Sequence, residues 1–226
     1  MEEKRSLRTA AAMAAVTLTL LLCACGAGNQ QSQRMQEETE EQGPSPEKES
    51  GRTPDIKTGL EEDGLAWKPA KEPILLTCGG QTVDYQIAAA MLRKNDLDFS
   101  MDHLVEPEDL QGIHTVVMVA GGSLKGLRAA GLTVEDEKKR VERILKAAEE
   151  REIYILAMHI GGEARRGELS DPFIEQVFAE ADGGIIVEGG DKDHQIRDMA
   201  KTGEIPLKVR QTIREATVLL LSLFER

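Results

Sequence analysis

PILLTCGG at Pro73–Gly80 is the first of four short apolar runs that end in a pair of glycines. The others are TVVMVAGG at Thr115–Gly122, IYILAMHIGG at Ile153–Gly162 and GIIVEGG at Gly184–Gly190. Near-continuous apolar runs of this length are typical of strands buried on both faces of a parallel sheet. Because helical patterns separate the runs, the strands are predicted to be parallel, with all four glycine pairs along one carboxyl edge. Open α/β sheets bind their ligands at that edge.

Helix signals fill the segments between these strands. The strands are predicted at Ile74–Cys78, Thr115–Ala120, Ile153–His159 and Gly184–Val187, with weaker edge strands at Asp98–Met101 and Ile205–Val209. Helices are predicted over Asp84–Asn95, Val134–Arg151 with Thr133 as its cap, a segment starting at Asp171-Pro172, Lys192–Lys201 and Thr212–Glu225. Right-handed crossovers place helices on both faces. The predicted fold is a three-layer α/β/α doubly wound sheet of five to six mostly parallel strands, in the flavodoxin-like order 2-1-3-4-5.

The amino terminus has the three-part layout of a secretory signal. A basic start at Met1–Arg8 precedes an apolar stretch at Thr9–Leu22, and Leu22-Cys23-Ala24-Cys25 resembles a bacterial lipobox. On that resemblance residues 1–24 are a lipoprotein signal peptide and Cys25 is the lipidated first residue of the mature protein. The alternatives are an ordinary signal cleaved near Ala24 and an uncleaved anchor. The predicted location is the extracytoplasmic face of a bacterial cell membrane, with attachment through the lipid.

The segment after the signal changes abruptly in composition. Residues 25–71 are rich in Gln, Glu, Ser, Gly and Pro and show no apolar periodicity. Such a segment cannot bury enough apolar surface to offset the entropy of ordering it. It is predicted to be a disordered acidic tether, and residues 72–226 have the length of one α/β domain.

Charge and cysteine content limit the partners. The formal net charge of −12 and the pI near 4.9 argue against nucleic acid, which is bound by clustered Lys and Arg. If Cys23 leaves with the signal and Cys25 is acylated, Cys78 is the one thiol that remains, so no internal disulfide can form. The scattered histidines lack metal-ligand spacing, so neither a metal nor a cofactor is predicted. The predicted partners are the membrane, through the lipid, and a small anionic ligand or an envelope protein.

Several common classes lack their signatures in this chain. Aromatic residues make up 3% of the sequence, too few for the ring stacking that a flavodoxin needs. A response-regulator receiver would carry an acidic cluster after the first strand, where this chain has Thr77-Cys78-Gly79. The GxSxG of an α/β-hydrolase, the Walker P-loop and GxGxxG are all missing.

The polar residues after the strands are the candidate ligand contacts. They are Gly79, Gly80 and Gln81 after the first strand, Gly121, Gly122, Ser123 and Lys125 after the third, and His159, Gly161, Gly162, Glu163, Arg165 and Arg166 after the fourth. Guanidinium groups match carboxylate and phosphate geometry, so Arg165 and Arg166 are candidates for an anion clamp. In the alternative interpretation they pair with Glu163 and Glu168 and order the loop.

Catalysis is the weaker hypothesis. Cys78 and His159 close two of the strands, and a thiol activated by an imidazole is a common nucleophile. The alternative is that Cys78 is a small core residue and His159 a hydrogen-bonded structural one. The sequence leaves open whether the protein is an enzyme, and a purely structural envelope module is a third possibility.

Three segments of the chain resemble one particular family. PILLTCGG, VAGGSLKGLRAAGL and HIGGEARRGELSDPFIE are similar to segments of an uncharacterised family of bacterial lipoproteins and exported proteins, classified as a domain of unknown function. The resemblance covers nearly the whole domain. It implies a Rossmann-like or flavodoxin-like α/β fold outside the cytoplasm, and it supplies neither an activity nor site residues.

Overall fold

Six parallel strands form the centre of the structure, a computed structural model that describes residues 65–224. The strands are β1 Ile74–Gly79, β2 Phe99–Met101, β3 Thr115–Ala120, β4 Tyr154–His159, β5 Gly183–Val187 and β6 Leu207–Arg210. Their order in the sheet is β2-β1-β3-β4-β5-β6, and every neighbouring pair is parallel. The predicted order 2-1-3-4-5 is therefore confirmed for five strands, and β6 extends it past β5. The predicted signal peptide and most of the predicted tether lie outside the described residues.

Helices connect the strands by crossovers. They are α1 Tyr85–Arg93, α2 Leu124–Ala130, α3 Val134–Glu150, α4 Asp171–Ala179, α5 Gln195–Thr202 and α6 Ile213–Ser222, with short 3-10 helices at Pro107–Leu110, Glu163–Arg165 and Glu188–Gly190. The predicted capping of α3 is confirmed, because Thr133 and Asp136 form a reciprocal capping box.

Two apolar cores cover the two faces of the sheet. Alternate strand residues such as Leu76, Val117 and Leu156 pack with α1 and α6. The intervening residues, among them Met118 and Ala157, pack with α3, α4 and α5 on the other face. Because side chains alternate between faces along a strand, each strand contributes to both cores. The three-layer α/β/α architecture follows, and the predicted fold class is confirmed.

Two helices differ from the sequence interpretation. Helix α2 occupies part of the segment after β3 that contains predicted ligand contacts. The Ser123 hydroxyl caps this helix by accepting a hydrogen bond from the Gly126 amide at 3.0 Å. Helix α5 begins at Gln195 rather than at Lys192, because His194 adopts a left-handed backbone with φ of 64°. The Asp191 carboxylate then accepts a hydrogen bond from the Ile196 amide at 2.7 Å. In both helices a side chain near the amino end decides where the helix starts.

Packing of the domain begins a few residues before Glu72. Ala70 is buried, forms a bridge with Phe224 and donates its amide to the Leu223 carbonyl at 2.9 Å. Trp67 also packs against the core on the α1 and α6 face. Within residues 65–224, no helix has the length and apolar character needed to cross a membrane.

Candidate functional site

The loops after β1 and β3 are bonded to each other at the point where the strand order reverses. The Gly121 amide donates to the Gly79 carbonyl and the Ser123 amide to the Gly80 carbonyl, both at 2.9 Å. A backbone bridge joins Gln81 to Gly122. Ligands of open α/β sheets commonly enter at this reversal point. In this protein, backbone hydrogen bonds between the two loops occupy the reversal point.

The remaining amides of these loops bond to buried side chains. The Gly80 amide donates to Glu137 Oε1 at 2.9 Å, and the Gly122 amide donates to Ser170 Oγ at 3.0 Å. An anion at this place would have to compete with both acceptors. The amides of Gly80, Gly121, Gly122 and Ser123, which are predicted ligand contacts, are thus already hydrogen-bonded within the domain.

Glycine is needed in these loops because of close approach. Gly80 has φ of 90°, and a Cβ there would lie 2.5 Å from the Gly121 carbonyl oxygen. A Cβ at Gly126 would collide with the Gln81 carbonyl oxygen. The glycines allow the backbones of the two loops to come into contact.

A fully buried ion pair between Arg140 and Glu137 forms hydrogen bonds with the loop after β1. Arg140 donates from Nε to Glu137 Oε2 at 2.8 Å, and it also donates to the Cys78 carbonyl at 2.6 Å. The Gln81 side chain donates to the same carboxylate at 3.1 Å. Burial acts to lower the pKa of Arg140, but the bonds and charge of Glu137 outweigh it and the pKa lies above its usual value. The pair fixes the loop conformation.

Arg166 has every guanidinium donor committed. Nε donates to Asp171 Oδ1 at 2.7 Å, Nη1 to the Gly190 carbonyl at 2.8 Å, and Nη1 and Nη2 to the two oxygens of Asp193. Nη2 also donates to Gln195 Oε1 at 2.6 Å. Its side chain is 11% exposed. Arg166 ties the β4 loop to α4 and α5, through Asp171 and Asp193 rather than through Glu163 or Glu168.

Arg165, the next residue, is in the opposite situation. Its side chain is 41% exposed, and its one ion pair is a 3.6 Å approach of Nε to Asp84 Oδ2. The guanidinium donates no hydrogen bond to any residue in the described part of the chain. The guanidinium group therefore faces solvent with its N–H donors available.

Asp84 is a functional candidate that the sequence analysis missed. It precedes α1, its side chain is 7% exposed, and it makes no capping hydrogen bond. Gly161 lies between it and Arg165, and a Cβ on Gly161 would collide with both side chains. The Gly161-Gly162 pair thus lets a carboxylate from the β1 loop meet an arginine from the β4 loop. An acid at the start of a predicted helix was the available signal, and it is equally typical of an ordinary cap.

The other predicted contacts lie around this pair. Gly162 has φ of 66° and open space where a Cβ would be. Glu163 pairs with Lys192, and both side chains are exposed. Lys125 is exposed on α2, and no ion pair of Lys125 occurs within residues 65–224.

The structure does not bring Cys78 and His159 together. Strand β3 lies between β1 and β4, so the two residues are about two strand spacings, roughly 10 Å, apart. Their side chains also point to opposite faces of the sheet. Cys78 shares a face with Leu76 and His159 with Ala157, and Leu76 and Ala157 belong to different cores. The arrangement cannot pair a thiol with an imidazole.

Both groups are fully buried, and burial disfavours the charged form of each. Burial raises the pKa of Cys78 to about 12, so the thiol stays protonated. Burial lowers the pKa of His159, whose Nδ1 lies 3.0 Å from the Ala120 carbonyl oxygen. His159 Nε2 has no hydrogen-bond partner among the described residues and lies beneath Gly190. Neither residue has the exposure that a nucleophile or a general base needs.

A broad cleft lies at the opposite, amino edge of the sheet. Its volume is about 1050 Å³, and its walls include Lys71, His114, Arg151, Tyr154 and Asp182. Asp182 accepts a hydrogen bond from the Ile155 amide at 2.9 Å, and Lys68 approaches it at 3.5 Å. The cleft combines both signs of charge with apolar side chains, and it holds no part of the glycine-rich loops. Within the described residues no group of three or more His, Cys, Asp or Glu could hold a metal ion.

Comparisons with solved structures give a weak likeness. A crystal structure of AlinE4, an SGNH-hydrolase family esterase, is 13% identical, and a serine-to-alanine mutant of AlinE4 is 12% identical. Each match covers 72% of this chain and 86% of that chain, with a TM-score of 0.27. A likeness at that score carries no argument about this chain. No protein of curated function matches the sequence.

The sequence itself matches one family. The model of the family described as "Domain of unknown function (DUF6305)" matches residues 71–224, which is well over half of the chain. That range starts at the end of the predicted tether and includes β1 to β6 with all the loops described above. The predicted resemblance to a family of unknown function is confirmed, and the protein belongs to the DUF6305 family.

Proposed function

We propose that this protein is an exported, lipid-anchored binding domain that takes a small anionic ligand at the carboxyl edge of its sheet, with Arg165 as the anion contact. The observation that carries the proposal is the open guanidinium of Arg165. It is half exposed, makes one loose ion pair and keeps its donors available at the edge where open α/β sheets bind ligands.

The neighbouring residues favour Arg165 over other cations of the domain. Arg166 holds the loop that carries Arg165, so the fork is presented from a backbone with little freedom. Gly162, in the same loop, has open space where a Cβ would be. A planar fork binds carboxylates and phosphates through two parallel hydrogen bonds, and a preorganised one loses less entropy on binding.

Binding without turnover is favoured by the state of the candidate nucleophile and base. The Cys78 thiol is buried and protonated, and the His159 ring is buried on the other face of the sheet. Neither can reach a molecule held by Arg165 without rearrangement of the sheet. An envelope protein that presents a carboxylate to Arg165 is the other ligand compatible with this site.

Calorimetric titration of the full-length protein, purified in mild detergent, tests the site. The probes are phosphate, sulfate, acetate, succinate and glycolate at millimolar concentration. We expect Arg165→Ala to weaken binding of the probes that bind by at least tenfold, because the fork supplies the charge-assisted hydrogen bonds. Arg128→Ala removes an exposed arginine from α2 and is the matched control. Equal binding by wild type and Arg165→Ala would contradict the proposal.

The anchor has its own test. Cys25→Ala removes the proposed acylation site, and we expect the variant to lose incorporation of labelled palmitate and to leave the membrane fraction. Cys78→Ala removes a cysteine elsewhere in the chain and is the control. Continued labelling of the Cys25→Ala protein would show that the lipid is attached elsewhere.

A further inference from the structure

Asp84 is a buried carboxylate that lacks hydrogen bonds. Its side chain is 7% exposed, and its one ion pair among the described residues is the 3.6 Å approach of Arg165. Within residues 65–224 no donor bonds to its oxygens, since the helix that it precedes is not capped by its side chain. The other two buried acids among the described residues accept several hydrogen bonds: Glu137 accepts from three residues and Asp191 from two.

A carboxylate in this state is costly for the protein. Removal from water disfavours the charge unless hydrogen bonds replace the lost ones, and a single ion pair at 3.6 Å replaces few of them. Buried polar groups in folded proteins are otherwise bonded almost without exception. A carboxylate and a guanidinium group that face each other without a hydrogen bond to any described residue therefore indicate a site that is completed by a ligand.

The two groups also restrict what the ligand can be. Arg165 offers donors and Asp84 offers acceptors, and their charged ends lie within 4 Å of each other. A molecule that contacts both must carry an acceptor and a donor on adjacent atoms. Sulfate supplies acceptors alone, so its remaining oxygens would face the Asp84 carboxylate and be repelled.

We propose that Asp84 is the second ligand contact and that the site takes carboxylic acids bearing a hydroxyl or amino group next to the carboxylate. The carboxylate lies on the Arg165 fork, and the neighbouring hydroxyl or ammonium donates to Asp84. This inference rests on the proposed function, because it requires Arg165 to hold the acid. Gly161 gives the pair its proximity, since any side chain there would separate the two groups.

A series of three acids isolates the effect of Asp84. Acetate, glycolate and glycine share the carboxylate and differ in the group on the second carbon, which is hydrogen, hydroxyl or ammonium. Calorimetric titration of the full-length protein is expected to give at least tenfold tighter binding of glycolate and glycine than of acetate. Asp84→Asn keeps the shape and removes the charge. It is expected to bring glycine and acetate within about threefold of each other.

The outcomes separate this inference from the proposed function. If wild type binds all three acids equally and Arg165→Ala binds none, the inference is overturned and the Arg165 site stands. If Arg165→Ala binds the acids as wild type does, both are overturned. If wild type binds none of the three acids, the inference is overturned, and the proposed function is decided by the other anions of its own titration. A preference for glycine over acetate that survives in Asp84→Asn also overturns the inference. Should Asp84→Asn not fold, the order of the three acids on wild type alone decides.

Discussion

The loops after β1 and β3 and the loop after β4 contain the same Gly-Gly signal and use it in different ways. In the first two, the amides of Gly80, Gly121, Gly122 and Ser123 are all bonded within the domain. In the third, Gly161 brings two charged side chains together that have few other contacts. A glycine pair at the end of a strand thus marks close approach. Whether the approaching group is the protein's own backbone or a ligand depends on which donors remain unused.

The buried pair below the β1 loop offers the largest test of this difference. Glu137→Ala would leave Arg140 charged and unpaired in the core, together with the Gly80 amide and the Gln81 side chain. Loss of one partner from a buried pair costs about 3–5 kcal/mol. We expect the free energy of unfolding, measured by urea titration, to fall by about that amount.

Glu142→Ala is the matched control for this change, since Glu142 is exposed on the same helix, and it is expected to change stability by about 0.5 kcal/mol or less. If Glu137→Ala lowers stability no more than the control does, the Glu137–Arg140 pair does not stabilise the loop after β1. The contrast with the open β4 loop would then be lost.

Two neighbouring arginines sharpen the contrast inside the β4 loop. Arg166→Ala removes hydrogen bonds to Asp171, Asp193, Gln195 and the Gly190 carbonyl. Because several of these partners are exposed, we expect a loss of about 2 kcal/mol in the free energy of unfolding rather than the sum of the bonds.

Arg165→Ala removes a half-exposed side chain with one loose ion pair, and the expected loss is about 0–1 kcal/mol. Urea titrations of the two variants give the comparison directly. Equal losses, or a greater loss for Arg165→Ala, would mean that Arg165 is itself a structural contact and is not kept available for a ligand.

The strands, their order and their parallel direction could be predicted because they depend on local pattern. Runs such as TVVMVA at Thr115–Ala120 are apolar throughout, and helical periodicity between them leaves few topologies. The same holds for the Thr133 capping box, whose partners are three residues apart. Helix α2 was missed because Gly121, Gly122 and Gly126 look like a loop. A serine cap three residues before Gly126 is a weaker signal than three glycines.

The candidate site could be predicted only as an edge of the sheet. The roles of Arg165 and Arg166 depend on Asp84, Asp171 and Asp193, and the separations in sequence run from 5 to 81 residues, so no local pattern distinguishes the two arginines. The alternative pairing with Glu163 and Glu168 had the advantage of closeness along the chain. In the structure, tertiary neighbours outweigh sequence neighbours in this loop.

The smallest expected effect concerns His159, which lies under the β4 loop. Burial is the main reason that its pKa is lowered; the charge of Arg166 lowers it further, while the bond to the Ala120 carbonyl and the charges of Asp84 and Asp171 raise it. The unfolded chain, with a histidine pKa of about 6.5, therefore takes up a proton before the folded protein does. Stability is full above that pH and falls as the pH drops from about 6.5 toward the lower pKa of the folded state.

One proton gives a slope of at most about 1.4 kcal/mol per pH unit. We expect wild type to lose stability relative to His159→Gln between about pH 7 and pH 5, because glutamine does not titrate and the other groups are shared. Urea titrations at four or five pH values provide the measurement. If wild type and His159→Gln change in parallel, the imidazole is protonated as readily in the folded protein as in the unfolded chain. The β4 loop would then have to open easily enough to admit water to Nε2, and its description as a fixed platform for Arg165 would be wrong.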